Sequence, residues 1–281
     1  MSQYSNNSLL DQLTLGKSTS YSQYYDPSLL QGVPRSLNRD QLSITASTLP
    51  FKGEDVWYGY ELSWLNSKGK PIVALAEFRF PCTTAHIVES KSFKLYLNSF
   101  NQSRFNSGKD VEKALLTDLQ KIVEGEVEVT LFNVEQCPAL SFIKSDYECI
   151  DDLDIEIDSY QLDPSLLQLS VSPKPVSEKL VSHLLKSNCL ITNQPDWGTI
   201  YIDYKGAKIC HQSLLKYLVS FRQHNEFHEQ CVERIFIDLM KYCKPDSLTV
   251  FARYTRRGGL DINPYRSTTS KPAPNLRTLR Q

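Results

Sequence analysis

Cys189 stands in a polar run, Ser187-Asn188-Cys189-Leu190-Ile191-Thr192-Asn193-Gln194-Pro195-Asp196-Trp197-Gly198, and a thiol leading into a turn is a candidate nucleophile. Pro195-Asp196-Trp197-Gly198 reads as a loop, which would leave that thiol partly exposed. A free thiol is only roughly a few per cent thiolate at neutral pH, so a reactive one needs help. Asp196 is close enough in sequence to exchange a proton with it. Taken alone, the pair is also what a loop cysteine beside a turn-forming aspartate looks like. Phe227-His228-Glu229 opens a helical stretch. Glu229 is either a first-turn acid facing the helix dipole or a carboxylate able to accept two hydrogen bonds from an amino group and its adjacent ring N–H. Glu89 presents the same alternatives. Arg256-Arg257-Gly258-Gly259 can let backbone approach a phosphate while guanidinium groups pair with it, or it is a solvated hairpin turn.

Other chemistries lack their residues. No G-x-G-x-x-G opens a helix after a strand, so a Rossmann cofactor site is not supported, and there is no Walker loop. The five histidines form no metal-ligand spacing with the cysteines, so no metal is expected. The seven cysteines are odd in number and include no C-x-x-C; free thiols are expected. Lys plus Arg is 31 against 32 for Asp plus Glu, a balance that argues against coating nucleic acid while allowing a local basic patch. The first residues carry no basic, apolar export signal, and no apolar run is long enough to span a bilayer. A soluble, cytoplasmic protein is expected.

The elements that must carry these residues follow from patterning. Residues 1–45 read as a polar leader with short helical pieces. Val56–Trp64 and Pro71–Phe80 flank Asn66-Ser67-Lys68-Gly69, a hairpin signal. Helices are expected over Ser90–Asn101 and Lys109–Val123, then a strand over Glu126–Phe132. The order then repeats: Gly198–Tyr204 and Ala207–Cys210 about a Lys205-Gly206 turn, helices His211–Arg222 and Glu226–Tyr242, a strand Ser247–Tyr254, and another starting at Leu260. Ser92-x-x-x-Tyr96-Leu97-x-Ser99-Phe100 matches Ser213-x-x-x-Tyr217-Leu218-x-Ser220-Phe221. Val111-Glu112 matches Val232-Glu233 in the same register, and Asp118-Leu119 matches Asp238-Leu239 after a one-residue slip. The chain therefore reads as a tandem duplication of an α+β unit, with copies over 46–165 and 175–281, antiparallel sheets and a helix pair on one face. Glu89 belongs to the first copy and His228-Glu229 to the second, so each copy holds part of the candidate constellation.

Three segments taken together resemble a known family. Glu89-Ser90-Lys91-Ser92-Phe93-Lys94-Leu95-Tyr96-Leu97-Asn98-Ser99-Phe100, the run Cys189–Gly198, and Phe227-His228-Glu229 with Arg256-Arg257-Gly258-Gly259 are similar to the signature, catalytic and ligand segments of the queuosine-pathway nitrile reductases. The likeness covers most of the chain and is to the longer, two-copy branch; Leu190 departs from the proline that shorter members commonly place there. The resemblance implies tandem tunnelling-fold (T-fold) units and reduction of 7-cyano-7-deazaguanine to 7-aminomethyl-7-deazaguanine by NADPH, in the making of a modified tRNA base. It implies Cys189 as nucleophile, through a covalent thioimide, and Asp196 as acid. It implies Ile87, Val88, Glu89, His228 and Glu229 at the substrate, and Ser90, Lys91, Arg257 and Gly258 at NADPH. A free deazapurine, not nucleic acid or membrane, is the implied partner, and a homodimer the implied assembly. The alternatives are a cysteine-dependent nitrile hydrolase, a non-catalytic deazapurine-binding protein, and a pterin-forming hydrolase of the same fold, whose metal-ligand spacing is absent.

Overall fold

The computed structural model describes residues 21–135 and 146–281. Cys137 and the first 20 residues of the leader lie outside them. The described chain divides into two compact units: 21–48, 55–135 and 256–261 form the first, and 49–54, 146–255 and 262–281 the second.

In the first unit, β1 (Gly32–Pro34) pairs antiparallel with β4 (His86–Val88). The unit also holds most of β2 (Lys52–Leu65), with β3 (Pro71–Pro81) beside it and β5 (Glu128–Phe132) antiparallel to β3. The β2–β3 turn closes as expected: Asn66 Oδ1 accepts the N–H groups of Lys68 and Lys70, and Gly69 takes the positive φ of 85° that the turn requires. Along β3, Ala74, Ala76, Phe78 and Phe80 are buried at alternate positions, the mark of one packed face. Two helices follow, α1 (Ser90–Ser99) and α2 (Gly108–Val123). Ser107 caps α2 by accepting the Asp110 N–H, and Val111, Leu115, Leu119 and Val123 recur every four residues, all fully buried. Glu124, in the left-handed region at φ 52°, ends the helix.

In the second unit the strands run β11 (Leu260–Ser267, of which this unit holds 262–267), β10 (Ser247–Tyr254), β9 (Pro195–Ala207), β7 (Pro175–Ser182) and β6 (Glu148–Cys149), with β8 (Lys186–Asn188) also on β9. All of these ladders are antiparallel except the two-residue β6–β7 pair. The helices are α3 (His211–Ser220) and α4 (His228–Tyr242). Antiparallel sheets with a few helices make this an α+β protein.

Two expectations fail here. Lys205-Gly206 is no hairpin; β9 runs straight through it, because Gly206 stays open at φ 149° and pairs with Val176. A Cβ on Gly206 would lie 2.9 Å from Pro245 Cα, so the strand passes where only glycine fits. The partner of β9 is instead β7, which the sequence disguises with Pro173, Pro175 and the polar Ser177-Glu178-Lys179. Pro195–Gly198, expected as a loop, is the start of β9 and pairs with β8.

The duplication is visible bond by bond. Tyr96 and Tyr217 each donate a 2.6 Å hydrogen bond, to Asp118 and Asp238 respectively. Ser99 and Ser220 each donate back to the carbonyl three residues earlier, at 2.6 Å, and accept the N–H of Asp26 and Asp163. Those aspartates each open a three-residue 3-10 turn, Pro27–Leu29 and Pro164–Leu166. The identical Asp-Pro-Ser-Leu-Leu-Gln at 26–31 and 163–168 is a repeat that motif matching within the helices passes over.

Candidate active site

Cys189 follows β8 directly and opens the turn to β9. Its N–H donates to the Gln194 carbonyl at 2.8 Å, and its own carbonyl accepts from the Asn193 N–H at 3.1 Å and Asn225 Nδ2 at 3.3 Å. Asn193 holds the left-handed conformation at φ 60° that lets so short a turn close. The β8–β9 register pairs Ser187 with Asp196, and the Cys189–Gln194 bond continues that ladder. Side chains alternate along a strand, so Ser187 and Cys189 on one side, and Asp196 and Gln194 on the other, share a face. Cys189 and Asp196 are thus diagonal cross-strand neighbours. The thiol is only 5% exposed and Asp196 7%, which corrects the expected partly exposed loop thiol; the hairpin shields what a loop would have bared.

The rest of this group comes from α4 and β10. His228 Nε2 lies 3.6 Å from Asp196 Oδ1, and its ring is centred 4.0 Å from that of Tyr254. Tyr254 is fully buried, and burial, with Cys231 and Asp196 nearby, holds its hydroxyl well above its ordinary pKa. Burial likewise pushes the Cys231 thiol well up, so this neighbouring sulfur stays protonated and inert. Glu229 is buried in the first turn of α4. Behind Cys189, the segment 224–226 runs alongside Asn188: the Asn188 N–H donates to the His224 carbonyl and the Glu226 N–H to the Asn188 carbonyl. Glu226 is fully buried; burial alone would raise its pKa, but hydrogen bonds from His224 and Arg234 and the Arg234 charge outweigh that and lower it.

The remaining candidates belong to the first unit. Ile87 and Val88, both buried, end β4. Glu89 is fully buried and caps α1, its Oε1 accepting the Lys91 N–H at 2.9 Å and its Oε2 the Ser92 N–H at 2.7 Å. Burial raises its pKa against those bonds, which act to lower it. Ser90 and Lys91 form the first turn of α1, where an anion meets the positive end of the helix dipole. Gly258 and Gly259 both have positive φ, at 63° and 77°. A Cβ on Gly258 would come within 2.9 Å of Lys94 Cδ, so this turn lies against the lysine of α1, and its positive φ favours glycine. Helix N-terminus, Lys91, Lys94 and Arg257 suit an anionic phosphate, and so fit a phosphorylated cofactor. The structure thus groups Cys189, Asp196, His228 and Glu229 in one unit and Glu89, Ser90, Lys91, Arg257 and Gly258 in the other. Ser187, Tyr254 and Asn225 join the first group without having been expected. Strand periodicity puts Ser187 on the face of Cys189, but Tyr254 reads as an ordinary core position.

Residues 21–131 match a family model described as nitrile reductase, 7-cyano-7-deazaguanine-reductase N-term, and residues 195–273 one described as QueF-like protein. The chain is 66% identical over 286 aligned positions to the NADPH-dependent 7-cyano-7-deazaguanine reductase of Colwellia psychrerythraea (strain 34H), with the whole of both chains covered.

Proposed function

This chain belongs to the 7-cyano-7-deazaguanine nitrile reductase family, and from that premise we propose that it reduces 7-cyano-7-deazaguanine to 7-aminomethyl-7-deazaguanine with NADPH, in queuosine biosynthesis. The observation that carries the mechanism is the placement of Cys189 and Asp196 on one face of the β8–β9 hairpin, with His228 3.6 Å from the Asp196 carboxylate.

A nitrile accepts hydride poorly. Cys189 Sγ adds to the nitrile carbon as thiolate, and Asp196 gives the proton that the nitrile nitrogen takes up; the product is a thioimide, a better acceptor. NADPH, when bound, supplies one hydride to each of the two reductions between nitrile and amine. After the first, the carbon–sulfur electron pair returns to Cys189 and frees an imine. His228 stands where it can return a proton to Asp196 for the later transfers. Burial of the thiol keeps water from the thioimide, which is what separates reduction from hydrolysis to amide or acid. Glu229 with His228, and Glu89 with Ile87 and Val88, are each assigned to the base on the family resemblance, the carboxylates as acceptors for its amino and ring N–H groups. Ser90, Lys91, Arg257 and Gly258 hold NADPH, the cations favouring its 2′-phosphate. The substrate is a free deazapurine in the cytoplasm, not a nucleic acid; among the described residues no helix is long and apolar enough to cross a membrane. We take the working form to be a homodimer of tandem T-fold chains, which sedimentation of the purified protein tests.

Loss of NADPH absorbance on adding 7-cyano-7-deazaguanine, with product mass, tests the reaction. Two NADPH oxidised per amine formed is expected. Amide or acid product without cofactor use would overturn it in favour of a hydrolase. Full turnover by Cys189→Ala would remove the covalent step.

A further inference from the structure

Linear spacing shows no metal ligands, yet folding collects a set. Cys149, Asp151 and His183 each place a ligand atom within 4.8 Å of the other two. They meet because β6 runs parallel to β7 with Cys149 beside Val181, so two residues further on Asp151 stands beside His183. The Ile150 N–H donates to the Val181 carbonyl at 3.0 Å, and the His183 N–H to Asp151 Oδ2 at 2.9 Å, which fixes the arrangement through the backbone. Asp151 Oδ1 is shielded from water and has no hydrogen-bond partner, a costly state for a carboxylate oxygen. The Cys149 sulfur lies against the backbone N–H and the carboxylate of Asp151.

His183 Nδ1 is 3.0 Å from Thr199 Oγ1. Arg280, which only donates, also bonds that hydroxyl and the His183 carbonyl. Thr199 can therefore accept Nδ1–H, leaving Nε2 with a lone pair. An outer partner on one imidazole nitrogen is how metal-bound histidines are held. Cys149 and His183 are exposed, giving a cation and a water a way in.

We propose that Cys149, Asp151 and His183 form a site for one zinc-class divalent cation, with water as fourth ligand. Thiolate, carboxylate and imidazole at about 2.0–2.3 Å are the donor set for zinc, and a bound ion would draw the three ligand atoms closer than their present spacing. Cys149 releases its thiol proton to solvent as the sulfur–metal bond forms. The ion would clip the two-residue β6 ladder to the end of β7, a structural role apart from the candidate active site and independent of the proposed reaction.

The test uses the full chain and metal alone. Zinc titrated into metal-stripped protein should bind at one ion per chain, and cobalt in its place should give a thiolate-to-metal charge-transfer band. Cys149→Ser should abolish that band and Asp151→Asn should weaken zinc binding at least tenfold, while Cys189→Ala leaves both unchanged. Thr199→Val should weaken it by about 10–100-fold. No bound zinc in the wild-type chain, a band that survives Cys149→Ser, or one lost in Cys189→Ala instead, would overturn the proposal.

Discussion

Gly198 faces Tyr254 across the β9–β10 ladder, and a Cβ there would come within 3.2 Å of the tyrosine ring. That ring in turn carries the His228 imidazole, so the glycine sets where His228 stands relative to Asp196. Gly198→Ala should push the ring and the histidine together, and a displacement near 1 Å costs on the order of 10²-fold in kcat/KM. Tyr254→Phe keeps the ring and should stay close to wild type in the same assay. Equal activity in Gly198→Ala and wild type would dissociate the packing from catalysis. Glu89 makes a separate prediction at this scale. Its raised pKa means that part of it is protonated at pH values where an exposed carboxylate is already ionised. The base's N–H donors need the ionised form, so substrate affinity should rise as pH climbs through that raised pKa. In Glu89→Gln this slope should vanish; calorimetric titration across the range checks it, and an unchanged slope would remove Glu89 from the base. The types of these residues are legible in the sequence. Their burial is not, because Cys189 is hidden by a hairpin whose second strand looks like a loop.

At the scale of elements, the site depends on how β8 and the 224–226 segment are held together. Glu226 anchors that segment to α4 through Arg234 Nε and a 2.6 Å bond from its NH2 group. Its folded pKa is lowered, so its contribution to stability is complete above the unfolded carboxylate value of about 4.3 and is lost as pH falls through the lower folded value. Glu226→Gln removes the buried carboxylate that Arg234 grips and should cost about 3–5 kcal/mol near neutrality, measured by denaturant unfolding. The acid limb of its stability curve should also be flatter than that of the wild type. A loss under ~1 kcal/mol, the value of a surface pair, would mean that the anchor is not buried in solution. The helices are well foreshadowed, because α2 buries one face at helical spacing behind a serine cap and α4 carries an acid in its first turn. The strands are less so. β7 opens on Pro175 and carries three consecutive polar residues, Ser177-Glu178-Lys179, and Lys205-Gly206 has turn chemistry but lies within a strand, since its register is set by a partner too distant for local pattern to reveal.

For the whole molecule, duplication and chain exchange together govern stability. The Asp-Pro-Ser-Leu-Leu-Gln turn lies ahead of each copy's strands and helices, before the starts at 46 and 175 that pattern assigns to the copies, and with it recur the serine that bonds it and the tyrosine–aspartate pair between the two helices. Duplicated sequence suggests two halves cut cleanly in the middle, but the compact units do not follow that cut. The first unit takes residues 256–261 from the far end of the chain. There the Arg256 guanidinium lies 3.8 Å over the Tyr60 ring, the Tyr60 N–H donates to the Gly259 carbonyl at 2.9 Å, and the Tyr60 hydroxyl donates to Asp261 at 2.6 Å. A fragment ending at Ser170 keeps Tyr60 but loses its Arg256, Gly259 and Asp261 partners. Such a fragment should melt at a lower temperature and less cooperatively than the intact chain, and co-expression with residues 171–281 should restore the transition. A fragment that unfolds as one sharp transition at the intact chain's temperature would mean that the 256–261 segment contributes nothing to the first unit, and that the copies are independent after all.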